Sequence, residues 1–208
     1  MKLDTMVEEL SRIKEIADQV QLLKTEFSNK TGYGKDLSDS DFLGLIMMTP
    51  AVAIAMADKE LSFFEMRYMG KKAREYSKGW HFLFKDPVAN GLHVLSKNLE
   101  EWEKPFMEIT KLVLKFQKDD KFLINEMNQT AQSAGGLSSA INNRLFLINS
   151  VLLTLPGAFF IAWILGPIRA GKTAISKEEK GKIIDIAEQL GIRDSINFKE
   201  LEEYLMGN

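Results

Sequence analysis

One helix-start signal occurs twice in this chain, and it constrains the fold more than any other feature. Leu61-Ser62-x-x-Glu65 and Ile175-Ser176-x-x-Glu179 share one pattern: an apolar residue, a serine, and a glutamate three positions on. A serine there accepts from an orphan backbone N–H of the first helical turn. The glutamate reaches back to the serine's own N–H, and the apolar residue before the cap supplies a hydrophobic staple. Ser62 and Ser176 are therefore read as helix caps, each preceded by an uncharged apolar segment. The matched starts predict two related helix–turn–helix halves. The expected fold is all-α: an irregular helical bundle of about seven to eight helices with pseudo-two-fold helical halves.

A chain of 208 residues can bury a sizeable core, and 45% apolar residues place it among folded globules. Its formal charge of -2 gives no general case for binding nucleic acid. With no cysteine there are no disulfides, thiolate metal sites or cysteine nucleophiles. The N-terminus is amphipathic and lacks the apolar region of a secretory signal, so a cytoplasmic location is expected.

Leu3, Met6, Leu10, Ile13, Ile16 or Ala17, Val20, Leu23 and Phe27 recur at helical spacing and predict one long amphipathic helix over residues 3–27. Thr31-Gly32-Tyr33-Gly34 breaks it. Ser38 or Ser40 then caps a helix through Leu43–Met48, which meets Pro50 and resumes over Ala51–Met56. Ala51, Ala53, Ala55 and Ala57 would allow another helix to approach closely. A third helix starts at Ser62. Residues 77–90 read as irregular, with Asp86-Pro87 and Asn90-Gly91 as turn signals, and a short helix follows around Val88–Leu95. Trp102, Phe106, Ile109, Leu112, Val113 and Phe116 form the next stripe, and Phe122, Leu123 and Met127 suggest another. Residues 133–139 read as a linker. The last clear helix runs from Ser176 to Leu190 with Ile183, Ile184, Ala187 and Leu190 inward and Gly191 beyond its end. Phe198, Leu201 and Leu205 support a short terminal helix.

Leu145 to Ile168 is 24 residues without a charge, between Arg144 and Arg169. That length can span a bilayer. A central helix buried on all sides reads the same way, and Pro156-Gly157 marks a kink or break within it. Both readings stay open.

Gly166 to Thr173 satisfies the phosphate-loop pattern GxxxxGKT, but that loop works only between a strand and a helix. No βαβ unit precedes it, the residues after it supply no parallel sheet, and the helix starts later, at Ser176. Residues 166–173 are read as a basic turn and not as a nucleotide site.

Asp58, Glu60 and Glu65 crowd the turn before the third helix. Clustered oxygen ligands suit a hard divalent cation (Ca, Mg or Mn), so these three are the candidate metal ligands. Glu178 and Glu179 are the corresponding acids of the second half. The alternative is structural: acids favour helix N-termini whether or not an ion is present.

At these residues the chain resembles the tellurite-resistance-B-like (TerB-like) family of helical domains. The resemblance rests on Ala57-Asp58-Lys59-Glu60-Leu61-Ser62-Phe63-Phe64-Glu65 and on Ala174–Glu179 continuing through Ile183–Ile192. Lys59 stands where the family has glycine, and the second copy lacks the Asp-Gly pair. The resemblance implies a pseudo-two-fold helical domain with an acidic metal-binding face and a stress-associated role. It divides the chain into an N-terminal helix over 1–30, a TerB-like domain over 38–192 with an insertion at 77–99, and a short C-terminal helix over 193–208.

The only histidines, His81 and His93, fit no ligand pair or catalytic triad. Trp80, Trp102 and Trp163 read as core. Met47, Met48, Met56, Met66 and Met69 could instead line a soft interaction groove. Glu100, Glu101, Glu103 and Lys104 read as a solvated face. The leading functional reading is a non-enzymatic domain that binds a divalent cation weakly or contacts a protein partner or a second copy of itself. The alternatives are a membrane-associated protein docked through 145–168 and a small metal-dependent enzyme.

Overall fold

The computed structural model describes residues 3–58, 67, 69–71, 73, 74, 86–119, 176–194, 198 and 202. Among the described residues the architecture is an irregular all-α bundle without strands. Its helices are α1 (Leu3–Ser11), α2 (Lys14–Thr31), α3 (Asp39–Met47), α4 (Thr49–Ala55), α5 (Pro87–Lys97), α6 (Leu99–Asp119) and α7 (Lys177–Gln189).

The long N-terminal helix expected over residues 3–27 is two helices, broken at Arg12-Ile13. Val7 and Ile16 are both fully buried. At about 100° per residue, the step from Val7 to Ile16 would put them on opposite faces of a straight helix. The break re-phases the stripe. Ile13 is extended (φ -68°, ψ 119°), and the last turn of α1 tightens as the Ile13 N–H donates to Leu10 O at 3.1 Å. α1 then lies against both α2 and α3.

α2 ends where Gly32 adopts φ +71° and its N–H donates to Ser28 O. The following loop is tied back: Lys24 Nζ donates to Leu37 O at 2.9 Å and to Asp39 Oδ1 at 2.5 Å. Ser38, not Ser40, caps α3, its hydroxyl accepting from the Asp41 N–H at 3.0 Å. The chain turns at Met48 and restarts as α4 with Pro50 in its first turn, where a missing N–H costs no helical bond.

Asn90-Gly91 does not form a turn. α5 begins at Pro87, with Asp86 as its cap accepting from Ala89 N–H at 2.8 Å, and it runs through Asn90-Gly91. Gly91 is there for close packing: an added Cβ would lie 2.8 Å from Leu45 Cδ2 and 3.1 Å from Tyr33 Cε1. Tertiary approach of α5 to α3 overrides the local turn preference.

Two apolar clusters result. The main one gathers residues from α1 to α6, with Met69 and Ala73. At its centre Phe27 meets Trp102 edge-on (centroids 5.0 Å apart), and Phe42 meets Phe106 at 86°. The second cluster holds Ala53 and Ile54 of α4, Met107 and Leu114 of α6, and Ile183, Ile186 and Ala187 of α7, closed by Leu190, Ile192 and Phe198. α4 is buried along its whole length and forms the wall between them. Residues 3–31 and 87–97 thus share one core with α3 and α6. Met47, Met48 and Met69 are core residues, so the methionine groove does not form at those three positions.

Among the described residues no helix is long and apolar enough to cross a membrane. The segment 145–168, the GxxxxGKT stretch 166–173, the linker 133–139, the stripe at 122–127, His81, Trp80, Trp163, Met66, Leu201 and Leu205 lie outside the described residues. Phe198 and Glu202 are helical.

Candidate functional site

α7 is positioned by both of its ends. Ser176 Oγ accepts from the Glu179 N–H at 3.1 Å, and Glu179 Oε2 accepts from the Ser176 N–H at 2.7 Å, which completes the capping box. At the other end Gly191 takes φ +68°. Its N–H donates to Glu188 O, and the Ile192 N–H donates to Ala187 O, each at 3.0 Å. This paired ending satisfies two orphan carbonyls and turns Ile192 into the second core.

With its ends set, α7 packs its apolar face on α4 and leaves a groove beside it. The groove, about 590 Å³, is walled by Ala53, Met56 and Ala57 at the end of α4, by Ser96, Lys97, Leu99, Glu100 and Glu103 at the α5–α6 corner, and by Glu178, Gly181, Lys182 and Asp185 of α7. Among the described lining residues, four carboxylates face two lysines. Lys182 Nζ meets Glu103 Oε1 at 2.6 Å with both side chains largely buried, fastening α7 to α6. The α7 wall recurs at i, i+3, i+4 and i+7, a polar stripe opposite its apolar face.

Of the candidate metal ligands Asp58, Glu60 and Glu65, Asp58 is the one among the described residues. Ala57, directly before Asp58 in sequence, lines the groove, and Glu178 borders the same groove. Glu179 does not join them: it is 3% exposed and its Oε2 serves the cap. Ser62, Glu60 and Glu65 lie outside the described residues. Among the described residues no three His, Cys, Asp or Glu side chains converge to hold a metal ion.

The remaining polar residues divide by position. Glu100 and Glu103, read from sequence as part of a solvated face, border the groove, whereas Glu101 pairs with Lys30 on the side where Lys30 Nζ also stands 5.5 Å from the Trp102 ring centroid. Asp185, Lys97 and Lys182 were absent from the sequence-based site. For the α7 members the signal was available, because Glu178, Lys182 and Asp185 repeat at helical spacing. Met56 is the methionine that borders the groove. His93 is exposed on α5.

A second polar corner lies at the other end of the bundle. The Tyr33 hydroxyl donates to Pro87 O at the start of α5. Burial pushes this phenol up to about 12, and the nearby Asp86 and Asp41 carboxylates add to the effect. Asp39 is held below the ordinary carboxylate range. Burial alone would raise it, but the hydrogen bonds and charge of Lys24, with Gln21, outweigh burial. These groups tie the loop between α2 and α3 to its surroundings and are remote in sequence from the groove.

Compared with known proteins, the chain matches no family model, no curated protein and no solved structure.

Proposed function

We propose that this is a non-enzymatic helical domain that acts through protein contacts at the α4–α7 groove and binds a divalent cation weakly at the groove's rim, in the stress-associated setting that the TerB-like resemblance implies. The observation that carries this reading is the groove itself. Its lining includes Ala57, the residue before Asp58, and Glu178 of α7, which are far apart in sequence. Acidic oxygens at one rim suit a hard cation such as calcium, magnesium or manganese. Mixed carboxylates and lysines with an alanine and methionine floor suit a polar-rimmed protein contact.

Calorimetric titration of the whole chain with each cation tests the proposal. Heat of binding that disappears in Asp58→Asn and in Glu178→Gln supports it. An unresponsive wild-type protein at millimolar cation removes the metal from the account. Association at a membrane through 145–168 is the second reading, favoured by 24 uncharged residues between Arg144 and Arg169. Recovery of the chain in the soluble fraction as a detergent-free monomer contradicts it.

A further inference from the structure

We draw no further inference here: the strongest candidate, the trough that continues the groove along the α6–α7 seam past Glu108 and Lys111 to Leu190, carries nothing because nothing in the structure shows what covers it.

Discussion

The two cores on either side of α4 are made of different materials. Among the described residues the main core is locked by four large rings, Phe27, Phe42, Trp102 and Phe106, contributed by α2, α3 and α6. Among the described residues the second core is aliphatic apart from Phe198, and it includes the inward face of α7. Aromatic rings meeting edge to face fix the relative orientation of three helices at once. α7 is held by the packing of its aliphatic face on α4, its ends are fixed by the capping box and the glycine ending, and the Lys182–Glu103 pair fastens it to α6. Among the described residues the aromatic contacts lie on one side of α4, and α7 with its groove lies on the other.

The comparison breaks first if Phe106→Ala is mild. Truncating that fully buried ring should cost about 3–5 kcal/mol, and urea unfolding should show the loss in every helix. Ile183→Ala, in the second core, should cost about 2–3 kcal/mol. Its distinguishing readout is amide exchange. α7 should exchange faster while α2 and α3 keep their protection, and uniform acceleration would mean that the two cores open as one unit.

Ser176→Ala should cost about 1 kcal/mol by orphaning the Glu179 N–H, while the backbone N–H at position 176 still serves the Glu179 carboxylate. Thermal melts measure it, and a silent substitution would show that the cap does not position α7. The smallest effect belongs to the main core's rim. Because folding raises the Tyr33 phenol from its ordinary 10.0 to about 12, its contribution is present below pH 10 and is lost as pH rises toward 12. Absorbance titration should show one late-ionising phenol in the wild type that is missing from Tyr33→Phe.

What could be read from the chain depended on whether the deciding forces were local. α7 was legible from Ser176-x-x-Glu179 at its start to Gly191 at its end, because caps are written within a few residues. Its inward face was read nearly as it stands, with Ile186 buried and Ile184 half-buried. The break at Arg12-Ile13 is not legible, because the apolar residues from Leu3 to Phe27 recur at steps of three and four that suit one continuous helix. Val7 lies outside that stripe, and its burial together with that of Ile16 is what requires the break. α5 is legible around Val88–Leu95, but Asn90-Gly91 within it signals a turn locally, whereas contact with Leu45 and Tyr33 decides the conformation. For the groove, the polar stripe of α7 was written in the sequence. Its opposition to Glu100 and Glu103 was not, because only packing on α4 brings α6 and α7 together.

The central claim is that docking of α7 on α4 creates the functional surface. Amide signals followed during calcium, magnesium or manganese titration, in the wild type and in Ile183→Ala, test it most directly. The account predicts that Asp58 and Glu178 shift together in the wild type and that loosening α7 weakens both responses. Shifts at Asp58 that are identical in the two proteins, or no shift at either residue in the wild type, would contradict it.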